Sequence, residues 1–294
     1  MKDNKKGTAE LKNQHAGILY VVATPIGNLE DITLRALRIL KDVGLIAAEN
    51  TSHTRGLCSY YGIRAKLTSY NQHNSKSKGP ELIKALKGGS DIALVTSAGT
   101  PGVSDPGSLL INLAHEEGIR VSPIPGPSAA ITALSVCGLK IDRFIFLGFL
   151  PNRSGKRRKY LRDLRHEQRT MIFYESPRRI IPLLNDLKEF FGDRPIVILR
   201  ELTKVYEEIK RGSIPDILKD MDEDKVKGEF TVILTGDEKE KDVSDIDIKK
   251  RIGELLKGKK TGARDIAARL SSELGINYRV IYKECLSMMK EMNS

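Results

Sequence analysis

The chain has 294 residues, 40% hydrophobic and 30% charged, enough for about two domains with cores of their own. Its apolar runs, such as residues 144–150, fall far short of the ~20 residues that a membrane-spanning helix needs. A net charge of +11 points toward polyanionic partners, and three scattered cysteines (Cys58, Cys137 and Cys285) point to a reducing cytoplasm rather than a disulfide framework or a zinc site.

Residues 1–16 hold Lys2, Lys5, Lys6 and Lys12 without an apolar h-region, and read as a basic tail rather than a secretory signal. Strand-length apolar runs follow at 18–23, 45–48, 92–96, 120–124, 144–149, 171–174, 196–199 and 230–234, with helical segments between them, which is an α/β pattern. Ile32, Leu34, Ala36, Leu37, Leu40 and Val43 mark one apolar helical face, closed by Lys41 where a cation suits the macrodipole. The stretch 138–142 follows a small-residue helix and separates an N-terminal α/β domain (17–140) from a second one (141–236). A charged run without an apolar face makes 237–245 a linker. Residues 246–294 place apolar residues at helical spacing in three segments, with Gly275 ending the second and Asn277 poised to cap the third. They carry a basic excess and read as a helix-turn-helix or as a small helical cap.

Three Gly/Pro-rich loops follow strand-like runs: 24–28, 97–107 and 125–128. In an open α/β sheet such loops gather at the carboxyl ends of the strands, where ligands bind. No GxGxxG opens a helix after a strand, which disfavours both an ordinary dinucleotide site and a Rossmann-type methyltransferase. The near P-loop match GELLKGKKT at 253–261 has an extra Lys before Thr261 and lies between helices, so it is read as chance. No spaced His, Cys or carboxylate set implies a metal.

The series ATPIGNLEDI (23–32), AGTPGVSDPG (98–107), PGPSA (125–129), YESPRR (174–179), RELTK (200–204) and KGEF (227–230) resembles, in order and spacing, the bacterial 16S rRNA 2′-O-ribose cytidine methyltransferases known as methyltransferase I. The resemblance runs from about residue 17 to 236 and extends to the helical tail. It implies the tetrapyrrole-methylase (class III methyltransferase) fold, with two α/β domains and S-adenosylmethionine in the cleft between them, a homodimer, and methylation of a decoding-centre cytidine of 16S rRNA in the small ribosomal subunit. It also implies that Pro25, Ala98, Gly99, Thr100, Val103, Ser128 and Ala129, with Glu175 and Thr203, line the cofactor cleft. From the residues alone, Ser128 serves equally well as a helix N-cap. Two departures stand near the cleft. Glu49-Asn50-Thr51-Ser52 replaces the family's Ala-Glu-Asp-Thr-Arg pattern, and Thr96-Ser97 replaces Ser-Asp.

Transfer to a hydroxyl needs a proton acceptor, and Glu49, His53, Glu175, Glu201 and Lys204 are the candidates on motif loops, among which spacing does not choose. Glu201 and Lys204, at i, i+3, equally suit an ion pair. For RNA, residues 151–169 concentrate Arg153, Lys156, Arg157, Arg158, Lys159, Arg162, Arg165 and Arg169 against Asp163 and Glu167. Arg178 and Arg179 extend that strip or close salt bridges, Arg279 and Lys283 start the last helix, and Tyr160, Tyr174 and Tyr206 either stack a base or fill the core. Two other readings stay open: methylation of a corrin or sirohaem precursor, and a catalytically dead RNA-binding regulator, the latter motivated by Asn50 and Ser97.

Overall fold

The computed structural model describes residues 16–221, 226–237, 245–257, 262–274, 276 and 278–292. The basic tail before Ala16, most of the expected linker, Thr261 and its neighbours in the near P-loop match, and Gly275 and Asn277 lie outside the described residues. The chain forms two compact units, one running to Arg165 and from Arg169 to Thr235, the other comprising residues 166–168 and 236–294.

The first half of the larger unit alternates strand and helix: β1 (Leu19–Val22), α1 (Leu34–Asp42), β2 (Leu45–Ala48), α2 (Thr51–Tyr60), β3 (Lys66–Ser69), α3 (Ser75–Lys87), β4 (Ile92–Val95), α4 (Ser108–Glu116), β5 (Val121–Ile124) and α5 (Ala129–Cys137). All five strands pair in parallel in the order β3-β2-β4-β1-β5. A parallel sheet is covered on both faces, which is why β4 reads as one unbroken apolar run. Ala93 and Val95 pack toward Ile39, Leu40 and Leu57, while Ile92 and Leu94 pack toward Leu82, Leu86 and Leu110. α1 starts where the Thr33 side chain accepts from the Ala36 N–H, and it buries Ala36, Ile39 and Leu40.

The second half holds β6 (Phe144–Phe149), α6 (Ser154–Asp163), β7 (Thr170–Glu175), α7 (Ile180–Phe191), β8 (Pro195–Arg200), β9 (Glu208–Ser213), α8 (Ile214–Lys219) and β10 (Phe230–Leu234). They build a mixed sheet in the order β6-β7-β10-β8-β9, with β10, last in sequence, at its centre and antiparallel to both neighbours. One face packs Met171, Phe173, Ile198 and Val232 on Leu161, Leu183, Leu187 and Ile217 of the following helices. The other face packs Ile172, Val197, Leu199 and Ile233 on Ala130, Ala133, Leu134 and Cys137 of α5. Thus α5, although it precedes residues 138–142, contributes its buried side to the second sheet. Two strands escape the apolar-run reading, β3 and β9, and each is an edge strand.

The smaller unit contains α9 (Asp245–Lys257), α10 (Ala263–Leu274) and α11 (Tyr278–Met292) around Ile252, Ile266, Ala267, Leu270, Ile281 and Cys285. The Ser271 hydroxyl donates to the Ile276 carbonyl between α10 and α11. Among the described residues no helix is long and apolar enough to cross a membrane, and no group of His, Cys, Asp and Glu is placed to hold a metal.

Candidate active site

The loops after β1, β4 and β5 meet at the carboxyl edge of the first sheet. Backbone pairing between Thr24 and Gly99 (2.9 and 3.0 Å) joins the first two, and the Thr100 hydroxyl donates to the Pro127 carbonyl at 3.1 Å to join the third. Opposite them stand the end of β6, residues 174–177 at and just past the end of β7, the loop after β8 and the start of β10. The first loop touches the β8 loop so closely at Gly27 that a Cβ there would lie 2.8 Å from the Leu202 carbonyl and 2.7 Å from the Thr203 hydroxyl. Asn28 N–H donates to that hydroxyl at 3.0 Å.

Between the two sets of loops lies a cavity of about 380 Å³, within the size range of small-molecule sites. Of the nine residues expected to line a cofactor site, Ala98, Gly99, Thr100, Val103, Ser128, Ala129 and Glu175 do line it. Pro25 and Thr203 do not. Pro25 is buried behind the wall, and Thr203 spends its hydroxyl on Asn28 and its N–H on Glu207, so both hold the loops instead. Ser128 stands at the N-cap position of α5, but its side chain makes no capping bond. The wall also includes Ile26, Asp105, Phe149, Tyr174, Leu199, Leu202, Lys204, Glu229 and Phe230.

Two of these residues owe their position to local backbone geometry. A bulge shifts the β6 register between Phe146 and Gly148, and Gly148 takes φ +59°, so Phe149 turns out to the cavity mouth and is 56% exposed. Its ring meets Tyr174 edge-on at 5.7 Å, and the Ala130 N–H fixes the Tyr174 oxygen at 3.0 Å. Glu201 and Thr203 sit at φ +51° and +66°, a strained turn that presents Lys204 between Glu201 (2.8 Å) and Glu229 (3.0 Å). The ion pair expected for Glu201 and Lys204 is therefore present.

The expected proton acceptors fare differently. Glu49 is held by the Ser97 N–H (3.0 Å) and hydroxyl (2.9 Å), and Asn50 caps α2 by accepting from Ser52 and His53 N–H groups, so both departures from the family pattern have structural partners. His53 is exposed on α2 and does not line the cavity. Glu175 is buried. Its Oε1 accepts from Ser176, and its Oε2 faces Arg179 at 3.2 Å with no hydrogen bond. Burial raises the Glu175 carboxyl above its usual range. Asp105, absent from the expected acceptors, is pushed up to about 6 by burial and by the nearby Glu49 charge. Its place in a Gly-rich loop was visible in the sequence, but the carboxylate neighbour was not.

The basic strip divides. Arg157 is 5% exposed, with Nε 2.6 Å from Asp186 on α7, and Arg158 bonds both Asp186 (3.2 Å) and Glu189. Arg179 bonds Asn152 and the Leu150 carbonyl. The expectation that Arg157 meets a phosphate is corrected, since it is buried against Asp186, while Arg158 and Arg179 are half-buried and each holds protein partners. Arg153, Lys156, Lys159 and Arg162 remain exposed. A separate groove, sharing Pro177 with the cavity, exposes Arg178 and Lys227. In the smaller unit Arg279 and Lys283 are exposed on α11, beside the stacked rings of Tyr278 and Tyr282.

Residues 18–218 match the family model described as Tetrapyrrole (Corrin/Porphyrin) Methylases. The chain is 48% identical over 220 residues to "Ribosomal RNA small subunit methyltransferase I" of Halalkalibacterium halodurans (75% of this chain, 76% of that protein). It is 43% identical over 274 residues to the protein of the same name from Escherichia coli O157:H7 (92% and 95%). Among solved structures, a cobalt precorrin-4 methyltransferase superposes with TM-score 0.58 at 16% identity (74% of this chain, 94% of that chain). A uroporphyrin-III-C-methyltransferase from Thermus thermophilus superposes with TM-score 0.53 at 20% identity (74% and 94%), and both likenesses speak to the fold alone.

Proposed function

Because the chain belongs to the tetrapyrrole methylase family, and within it to the small-subunit ribosomal RNA methyltransferases I, we propose that it methylates the ribose 2′-hydroxyl of a decoding-centre cytidine in 16S rRNA. S-adenosylmethionine, the methyl donor of this family, supplies a methyl carbon made electrophilic by the attached sulfonium. The residues present fit it. The wall is largely apolar and rich in backbone, and besides the Tyr174 phenol its ionisable groups are the carboxyls of Asp105, Glu175 and Glu229 against the single, already paired ammonium of Lys204, a set that suits a cation. Ala98, Gly99, Thr100, Val103, Ser128 and Ala129 would hold the cofactor, and the unbonded Oε2 of Glu175 offers an acceptor to one of its donors.

The observation that carries the RNA reading is the contrast between this carboxyl-lined cavity and its surroundings. An exposed aromatic, Phe149, stands at the mouth, and the neighbouring groove carries Arg178 and Lys227. Such an arrangement suits a base stacked on the ring with its phosphates outside. The same contrast weighs against a corrin or sirohaem precursor, whose carboxylates would need cations within the wall. We also propose that the chain works as a homodimer. The exposed apolar side chains of Ile131, Val136 and Phe144 support that reading.

The test is methyl incorporation from labelled S-adenosylmethionine into small ribosomal subunits from a strain lacking the enzyme, with the nucleoside identified by mass spectrometry. A 2′-O-methylcytidine is the expected product. Incorporation into a tetrapyrrole and not into RNA would overturn the proposal, as would cofactor binding with no transfer to either.

A further inference from the structure

Arg178 and Lys227 at the cavity mouth begin a longer surface. The groove they line shares Pro177 with the cavity, and through Ile181 and Asn185 it continues into a second groove that reaches Lys188 and Lys219. On α7, Ile181, Asn185 and Lys188 fall at i, i+4 and i+7, one stripe of the helix. Another stripe carries Asp186 and Glu189, which hold Arg157 and Arg158. Thus α7 spends its carboxylates on α6 and turns Asn185 and Lys188 to the groove.

The charge in the groove is of one sign. Arg178, Lys188, Lys219 and Lys227 are exposed, and among the described residues no lining side chain of either stretch carries a carboxyl. The side chains of Arg178, Lys188 and Lys227 make no hydrogen bond or ion pair with a described residue, and Lys219 acts on Asp216, a carboxylate already bonded to Ser213. Residues 222–225, between the lining residues Met221 and Val226, lie outside the described residues and form no part of the site. The floor beneath the cations is apolar and half-buried, as at Ile181 and Leu218, and holds no aromatic ring.

The end nearest the cavity is fixed. Gly228 takes φ +87°, and a Cβ there would lie 2.5 Å from the Glu201 side chain. The Glu201 carboxylate accepts from the Glu229 N–H at 2.9 Å, and Arg200 Nε donates to the Lys227 carbonyl at 2.6 Å. The turn that carries Lys227 is therefore tied on both sides of Gly228 to the end of β8 and its loop.

We propose that this groove is the track for the single strand of RNA flanking the target nucleotide, an assignment that rests on reading the cavity as an RNA-methylating site. A strand whose nucleotide enters the cavity is covalently bound to leave across the adjoining surface, and this groove adjoins it with the charge that phosphates need. Ile181 to Lys188 spans about 10 Å along the helix. With Arg178 and Lys227 beyond one end and Lys219 beside the other, the track accommodates about four nucleotides at ~3.4 Å per phosphate. Cations without a ring to stack on hold the backbone rather than the bases, so the track is indifferent to sequence and leaves stacking to Phe149.

The experiment compares the full-length chain with a variant carrying Arg178→Gln, Lys188→Gln, Lys219→Gln and Lys227→Gln. Fluorescence anisotropy reads the binding of a labelled single-stranded RNA of about 12 nucleotides from about 50 to 200 mM salt. Methyl transfer to small ribosomal subunits, cofactor calorimetry and thermal unfolding accompany it. In the variant, the slope of log affinity against log salt should become shallower by about 3, ~0.7 for each of four lost phosphate contacts, and KM for subunits should rise roughly 10-fold or more. Wild-type kcat, cofactor affinity and Tm are expected with it, and show that the variant is folded. An unchanged salt slope, or a fall in kcat with KM unchanged, would overturn the track while leaving the proposed function standing. Unchanged affinity for free RNA with a raised KM for subunits would also overturn it, giving the groove to a ribosomal protein segment. A wild-type chain that methylates no RNA would overturn both.

Discussion

Arg157 separates a structural cation from a ligand-binding one. Truncation in Arg157→Ala leaves the Asp186 carboxylate, 6% exposed, without its 2.6 Å partner. Breaking a buried pair from one side costs about 3–5 kcal/mol. Arg158 still reaches Asp186 at 3.2 Å, but from a side chain that is 36% exposed and shared with Glu189, so the low end, about 3 kcal/mol, applies. In a unit of this size that lowers Tm by roughly 6–12 °C. The double variant Arg157→Leu/Asp186→Leu should recover most of the loss, because an apolar pair removes the stranded charge. Lys156→Ala with Lys159→Ala, on the exposed side of the same helix, should leave Tm within about 2 °C while flattening the salt dependence of RNA binding. Thermal unfolding and RNA titration over a range of salt concentrations check both. An Arg157→Ala protein with unchanged Tm and a reduced salt slope would refute the reasoning and return Arg157 to the RNA surface.

Gly27→Ala should cost about 1–3 kcal/mol and weaken cofactor binding, since the added methyl pushes against Leu202, Thr203 and Lys204, of which Leu202 and Lys204 line the cavity; unfolding and calorimetry read both. The Asp105 carboxyl is raised from 3.8 to about 6 in the folded protein, so the folded state holds its proton more tightly than the unfolded one, and this group costs stability as pH climbs from about 4 to about 6. Asp105→Asn should therefore be more stable than wild type at pH 8, by at most about 3 kcal/mol and by about 1–2 after allowance for solvent access. Urea unfolding should show that advantage shrinking toward pH 4, and a gap independent of pH would contradict it. Phe149→Ala should raise KM for RNA by roughly 5- to 150-fold, the equivalent of about 1–3 kcal/mol of stacking, with cofactor affinity retained in calorimetry.

Strands that lie inside a sheet were legible because burial on both faces demands unbroken apolar runs, as in β4 and β10. β3 and β9 were not, since these two edge strands carry mixed sequences, KLTS and EIKRGS, that an edge tolerates, whereas the edge strands β5 and β6 keep readable apolar runs. The cofactor loops could be read from Gly and Pro because their backbone requirements are local. Whether Arg157 meets a phosphate or Asp186, and whether Asp105 is basic, depends on residues from other elements, and no spacing along the chain carries that information. Phe149 was hidden for a related reason, for a one-residue bulge decides which way the ring points.

The central position of β10 orders events during synthesis. The face of α5 made by Ala130, Ala133, Leu134 and Cys137 leaves the ribosome well before β10, the strand against which part of it packs, has been made. β7 and β8 likewise wait for the strand that joins them. Part of that apolar surface therefore stays uncovered until Leu234 has emerged, which favours aggregation of the incomplete chain. For the same reason a chain cut near residue 140 should yield an aggregation-prone first fragment, whereas a permutant that begins at β6 and ends at α5 would complete the second sheet before the helix that covers it.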